Sequence, residues 1–200
     1  MSELLFNELP RPTFRWLRVN HTVSSLAGED TAVQSIAVEA NKNILSPLPV
    51  GTALLDGNYE GANKEAVHVL VEKAEGYAIN VPPKAKEVVG IRIDANARVA
   101  NRFQFIVGEG AELEVQFYVT GSGDALTNVS YLNEYDVKEA GKVVVKKVNL
   151  LPEHVQHIEH RYTKLEEKAD VEYINIEIGG SENILNYYHD LVGQIGRAHV

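Results

Sequence analysis

Val107 to Val115 reads V-G-E-G-A-E-L-E-V: an apolar residue, a tight turn of small and charged residues, then a strand alternating polar and apolar. The same phrase returns as V-K-E-A-G-K-V-V-V from Val137 and as L-E-E-K-A-D-V-E-Y from Leu165, at intervals of 30 and 28 residues. Weaker copies open at Val81 (V-P-P-K-A-K-E-V-V), 26 residues before the first, and at Leu191, 26 residues after the last. One phrase recurring at irregular intervals in the upper twenties marks a solenoid whose coils differ by insertions in one loop. In a parallel β-helix each coil lies roughly 4.8 Å above the last and sends Val, Ile and Leu into a continuous aliphatic stack. The strict short repeat of hexapeptide-type left-handed helices is missing. An antiparallel sandwich or meander is the alternative, because Gly, Lys, Glu and Ala crowd beside turns in any β protein.

Outward from the repeats, composition changes near residue 76. After Gly76, runs rich in Val, Ile and Tyr predict strands at 77–81, 88–93, 103–107, 113–119, 143–148 and 171–178. Helical periodicity is nearly absent there, which disfavours alternating strand and helix folds of the Rossmann type. Earlier, Ala66, Val67, Leu70, Val71 and Ala74 recur at helical spacing, predicting an amphipathic helix over 63–74 with Gly76 as its stop. Thr13 offers an N-cap for a short docking helix within Leu9 to Asn20, with Phe14 and Leu17 on one side and Trp16 nearby. The run S-P-L-P-V-G at Ser46 to Gly51 has to be turn or extended chain. The expected architecture is mainly β: a parallel β-helix over 77–194, preceded by a small N-terminal region with short helices over 1–76.

The 200 residues are 44% hydrophobic and 24% charged, which suits one ordinary globular domain with a small appendage rather than a disordered chain. A net charge of -9 lacks the basic footprint that phosphate backbones require, so nucleic acid is not an expected partner. With no cysteine, the chain supplies no disulfide, no thiolate nucleophile and no thiolate ligand. Glu3 and Glu8 stand where a secretory signal has basic residues, and no apolar run approaches the roughly 20 residues of a spanning helix. No membrane association is expected, and the expected location is cytoplasmic.

His154, His157 and His160 form H-x-x-H-x-x-H. On a strand, residues three apart point to opposite faces; on a helix the outer pair diverges by about 240°. The reading is therefore a solvated turn rather than a metal site, with no metal ligand and no catalytic residue expected. Gly108 and Gly110 suit a tight coil corner better than a dinucleotide fingerprint, and no Walker A phrase occurs. Asn20-His21-Thr22 and Asn128-Val129-Ser130 are chance sequons in a chain without a secretory signal. Glu112 with Glu114, Glu134 with Asp136, and Glu172 could face outward on successive coils. Such carboxylates would serve a polysaccharide lyase or hydrolase, the rival enzyme class, but they suit a solvated acidic face better. A purely structural solenoid is the third possibility.

Several of these stretches resemble the SufB/SufD family. Leu9 to Asn20 (L-P-R-P-T-F-R-W-L-R-V-N) is similar to the opening of SufD-type proteins. A-L-T-N-V at Ala125 to Val129, V-K-E-A-G-K-V-V-V-K-K-V-N-L at Val137 to Leu150, K-A-D-V-E-Y at Lys168 to Tyr173 and G-G-S-E-N-I-L-N at Gly179 to Asn186 resemble the SufBD core. The resemblance implies a right-handed parallel β-helix and a non-catalytic scaffold role in iron–sulfur cluster assembly, with a SufB-like subunit and a SufC-like ATPase as partners. It implies no cofactor bound by this chain, the cluster being handled by the complex. It also implies further coils and a helical C-terminal region carrying the junction and ATPase-binding residues, so none of those is assigned here. Ile195 to Val200 (I-G-R-A-H-V) equals the translation of a common sequencing adapter and is expected to be a non-native tail on a sequence ending near Gln194.

Overall fold

The computed structural model describes residues 3–6, 22–25, 36–55, 64–122, 127–194 and 196–199. The docking helix expected in Leu9 to Asn20 lies outside them. A two-stranded antiparallel ribbon joins β1 (Glu3–Phe6) to β2 (Thr22–Ser25). The remaining elements are β3 (Ile36–Glu39), β4 (Leu45–Leu48), α1 (Lys64–Lys73), β5 (Gly76–Val81), β6 (Lys86–Asp94), β7 (Val99–Val107), β8 (Glu112–Thr120), β9 (Thr127–Val137), β10 (Lys142–Asn149), β11 (Val155–Leu165), β12 (Asp170–Glu177), β13 (Glu182–Leu191) and β14 (Arg197–His199).

These strands build two six-stranded sheets. The first has the order β14-β12-β10-β8-β6-β3 and the second β13-β11-β9-β7-β5-β4. From β5 onward every strand pairs in parallel with the strand two places along, so the chain crosses between the sheets at each step and winds a β-helix. The antiparallel alternative is thereby overturned. Only the entry strands run the other way: β3 lies antiparallel on β6 and β4 on β5, covering the exposed starting edges of both sheets. Pro47 in β4 is tolerated because this is an edge strand, where a missing N–H breaks no ladder.

The recurring phrase is the stacked corner of the coils. Val81, Val107, Val137, Leu165 and Leu191 fall into one column by register. Three residues on, Lys84, Gly110, Ala140 and Lys168 all take the left-handed conformation, with φ of 62°, 61°, 55° and 57°. Each donates its N–H to a carbonyl of the following coil, at Glu109, Glu139, Glu167 and Gln194 respectively. The backbone ladder thus fixes the corner, and only one of the four positions is glycine, which is why the phrase is loosely conserved in wording. At Gly108 a Cβ would come within 2.6 Å of Pro83 N, so that glycine permits the close approach of two coils.

Helix α1 appears where the 3.6-residue periodicity predicts it, burying Ala66, Val67 and Leu70. Gly76 is not its cap, however. It begins β5, and a Cβ there would stand 1.9 Å from the Arg102 carbonyl oxygen, so glycine is needed for backbone proximity.

The two sheets differ in their outer faces. The first alternates buried and exposed residues, as in β8 and β10, with its outer face in solvent. The outer face of the second is covered by α1 and by the chain from Pro49 to Leu55, so β7, β9 and β11 are buried on both sides almost throughout. Strands β9, β11 and β13 were not foreseen from the sequence; they carry polar side chains into buried positions, and in β9 the alternation of Val129, Tyr131, Tyr135 and Val137 is broken by Asn133.

The space between the sheets changes character along the stack, correcting the expectation of a wholly aliphatic axis. Early coils fill it with Ile79, Val89, Ile91, Phe103, Phe105 and Phe117. Later coils put polar groups in the same columns: Ile91 and Phe117 give way to Lys147, Val119 to Asn149, and Phe103 to Asn133 and then Arg161.

Candidate functional site

The charged lumen of the later coils is the most chemically loaded region of the described residues. Strand alternation aims His157, Glu159, Arg161 and Thr163 of β11 inward, facing Lys147 and Asn149 of β10 and Tyr173 and Glu177 of β12. Lys147 Nζ bridges Glu159 and Glu177, and its side chain is fully buried. Glu159 also receives Arg161 through Nε at 2.9 Å and through Nη2, and Asn133 Nδ2 at 2.8 Å. The Arg161 guanidinium lies 4.2 Å from the ring centroids of both Tyr173 and Tyr187, a cation held between two aromatic faces.

These contacts set the protonation states. Burial works to raise the Glu159 pKa, but Arg161 and Lys147 overcome it and hold the carboxylate down at about 2. Burial works against the charge of Arg161, yet Glu159 beside it drives its pKa upward. His157 is pushed down to about 4, first by burial and then by Lys147. Its neutral ring is held by Asn183 Oδ1 at 3.2 Å from Nδ1 and by the Tyr131 hydroxyl at 3.0 Å from Nε2. Asn149 Nδ2 donates to Glu177 Oε2 and to Asn183 Oδ1, both at 2.9 Å, closing the network at the rim. Burial raises the phenols of Tyr131 and Tyr135 as well, and takes Tyr173 to about 12. At neutral pH the lumen therefore holds fixed charges and neutral rings.

The three histidines do not converge. His154 sits in the turn before β11, His157 faces the lumen, and His160 faces the opposite side of the strand beside Asn186 Nδ2 at 3.3 Å. The opposite-face argument for 157 and 160 holds, but the solvated-turn reading does not: both are buried in a strand, and burial alone takes His160 to about 4.

A second buried ionic group lies on the outer face of the second sheet. Glu134 Oε2 accepts from Arg102 Nη2 at 3.1 Å and from Gln104 Nε2 at 2.8 Å, while Oε1 accepts the Leu55 N–H at 2.9 Å. Arg102 Nη1 donates to the Thr52 carbonyl at 2.7 Å and Gln104 Nε2 to that of Ala53 at 3.2 Å. Burial raises the Glu134 pKa despite these donors. The group pins the chain at Thr52 to Leu55 over the sheet, so the expectation of Glu134 on a solvated acidic face is corrected. Asp136, on the same side of β9, pairs with Lys138 at 2.9 Å. Glu112 and Glu114 do face solvent, paired with Lys86 and Lys146, each at 2.8 Å. Glu112 and Glu114 thus each stand opposite a lysine, and Glu172 of β12 is exposed on the same sheet.

The sequence offered one cue to the lumen that went unread. His157, Glu159, Arg161 and Thr163 are spaced by two, the strand period, but with polar rather than apolar residues in phase.

Residues 91–200 match the family model described as SUF system FeS cluster assembly, SufBD core domain. No curated protein and no solved structure matches the chain. The matched region starts within β6 and takes in every coil that carries the charged lumen.

Proposed function

The chain belongs to the SufBD core family, and on that premise we propose that it acts as a non-catalytic scaffold subunit in iron–sulfur cluster assembly, in a complex with a SufB-like subunit and a SufC-like ATPase. The observation that carries this reading is the coincidence of the family match with a stack of hydrogen-bonded parallel coils. Such a stack is a rigid body on which other subunits can be positioned. In this reading the cluster is cargo of the complex, which the pairing of Lys147 and Arg161 with Glu159 and the lack of cysteine in this sequence support. The SufD-like assignment within the family rests on the resemblance of Leu9 to Asn20. No helix among the described residues is long and apolar enough to cross a membrane; a cytoplasmic location is part of the same proposal.

The test is affinity capture of the full-length product from its native cell extract. Co-purification of a SufC-type ATPase in stoichiometric amount is expected. Capture without that ATPase, under conditions where the ATPase is expressed, overturns the scaffold reading.

A further inference from the structure

Four hydrogen-bonding groups in the later coils have no partner among the described residues: Arg161 Nη1, the hydroxyls of Tyr135 and Tyr187, and the ring of His189. Arg161 and Tyr135 are fully buried, and Tyr187 and His189 half-buried. The four surround one ring. Tyr173 has the Arg161 guanidinium 4.2 Å from its centroid, and the rings of Tyr135, Tyr187 and His189 at 6.0, 5.9 and 5.6 Å. Strand register gathers them: Arg161 lies beside Tyr187 in one row, and Thr163 beside Tyr135 and His189 in the next. Arg161 gives Nε and Nη2 to Glu159, which leaves Nη1 unused, while the Tyr173 hydroxyl is already engaged with Thr163. Each of the four groups carries a hydrogen that needs an acceptor. A bridging water would bring two more such hydrogens, whereas an anion accepts from every side.

We propose that this cluster binds a small inorganic anion of halide size, held by Arg161 Nη1, the Tyr135 and Tyr187 hydroxyls and His189. Crowding around a single ring suits a monatomic ion better than a tetrahedral oxyanion. The anion does not enter alone. Lys147 and Arg161 already balance Glu159 and Glu177, so one more negative charge would stand uncompensated in the interior. His189 restores the balance by taking up a proton, which also turns its second ring nitrogen from acceptor into donor. Its neighbours are Thr163 of β11 in register and Tyr173 of β12 in a stacked contact. Burial and then the Arg161 charge hold its pKa below the usual imidazole value until the anion offsets that charge. Binding therefore tightens as pH falls through the histidine range, and the bound ion ties β9, β11 and β13 together. This inference stands on the contacts of the lumen and not on the family assignment.

Chlorine NMR of the full chain with sodium chloride tests it. Wild type is expected to broaden the chloride line, more at about pH 6 than at about pH 8, and bromide to compete where inorganic phosphate does not. Tyr187→Phe keeps the ring against Arg161 and removes only a hydroxyl without a protein partner. It should retain the thermal midpoint and weaken chloride binding about tenfold or more. Tyr135→Phe should do the same from the fully buried side, while Tyr118→Phe, on the exposed face of the first sheet, should bind like wild type. The His189 ring signal, identified by its loss in His189→Gln, should titrate at higher pH in saturating chloride than in gluconate of equal ionic strength. A chloride line that wild type leaves at its free width overturns the proposal, as does competition by phosphate as strong as by bromide. So do Tyr187→Phe and Tyr135→Phe proteins that bind as tightly as wild type, or a His189 titration that chloride leaves in place.

Discussion

Lys147 on β10 reaches across the lumen to Glu159 on β11, and neither side chain retains any contact with solvent. The pair ties one sheet to the other where the filling changes from aliphatic to charged. A buried ion of this kind is more important for what happens when its partner is lost than for any net gain in stability. Lys147→Met leaves Glu159 and Glu177 without their shared cation and is expected to cost about 3 kcal/mol. Lys146→Met, one residue along but outward, removes only a half-exposed pair with Glu114 and should cost less than about 1 kcal/mol. Urea unfolding of the two variants gives the comparison.

Acid should destabilise the fold in two separate steps. His157 and His160 have pKa values near 4 when folded, against an ordinary 6.5, so between those values the unfolded chain binds more protons than the native one. Stability is therefore full above about pH 6.5 and falls as pH drops toward 4, by at most about 3 kcal/mol for each ring. Glu159 acts in a lower window: its contribution is present above about 4.5 and is lost as pH falls toward 2. Urea midpoints between pH 7 and pH 4 should decline, and His157→Gln should make that decline shallower.

The corner column offers a reciprocal pair. Gly110→Ala puts a side chain at φ 61° in open surroundings, where the nearest atom is the flexible Lys84 Cγ at 3.8 Å. Its loss of about 1 kcal/mol would thus be backbone strain alone. Ala140→Gly relieves the same strain one coil on and should leave stability unchanged or raise it by up to about 1 kcal/mol. Thermal unfolding of both variants checks the sign.

Glu134→Ala removes the acceptor for Arg102, Gln104 and the Leu55 N–H together. The expected loss is about 3 kcal/mol, and the segment from Thr52 to Leu55 should become the first site of protease cleavage. Limited proteolysis with peptide mapping is the measurement. Cleavage elsewhere first would show that the segment is held by other contacts.

The first sheet was legible in the sequence because one of its faces is wet. Leu113 and Val115 alternate with Glu112, Glu114 and Gln116, and every strand expected within β6, β8, β10 and β12 is there. The second sheet was legible only in part, because its outer face is covered and its lumen face becomes ionic. A strand such as β11, with Glu159, His160 and Arg161 in a row, reads as solvated until the packing that buries it is known. The column from Val81 to Leu191 was legible because corners are local: turn chemistry and one apolar residue suffice to specify them. The lumen network was not, since partners such as Lys147 with Glu159 and Asn149 with Asn183 lie 12 and 34 residues apart and nothing local marks a lysine as buried.

The parallel stack on which the family reading depends is tested most directly by spin labels at the corners. In a chain without native cysteine, nitroxides at Glu109, Glu139 and Glu167 can be placed in pairs. The Gly110 N–H bonds to Glu139 and the Ala140 N–H to Glu167, so consecutive corners are adjacent coils, roughly 5 Å apart, and alternate ones roughly 10 Å. Continuous-wave spectra of the frozen protein should show strong dipolar broadening for 109 with 139, and clear broadening for 109 with 167. Narrow spectra for both pairs, as from corners at opposite ends of a meander, would contradict the account.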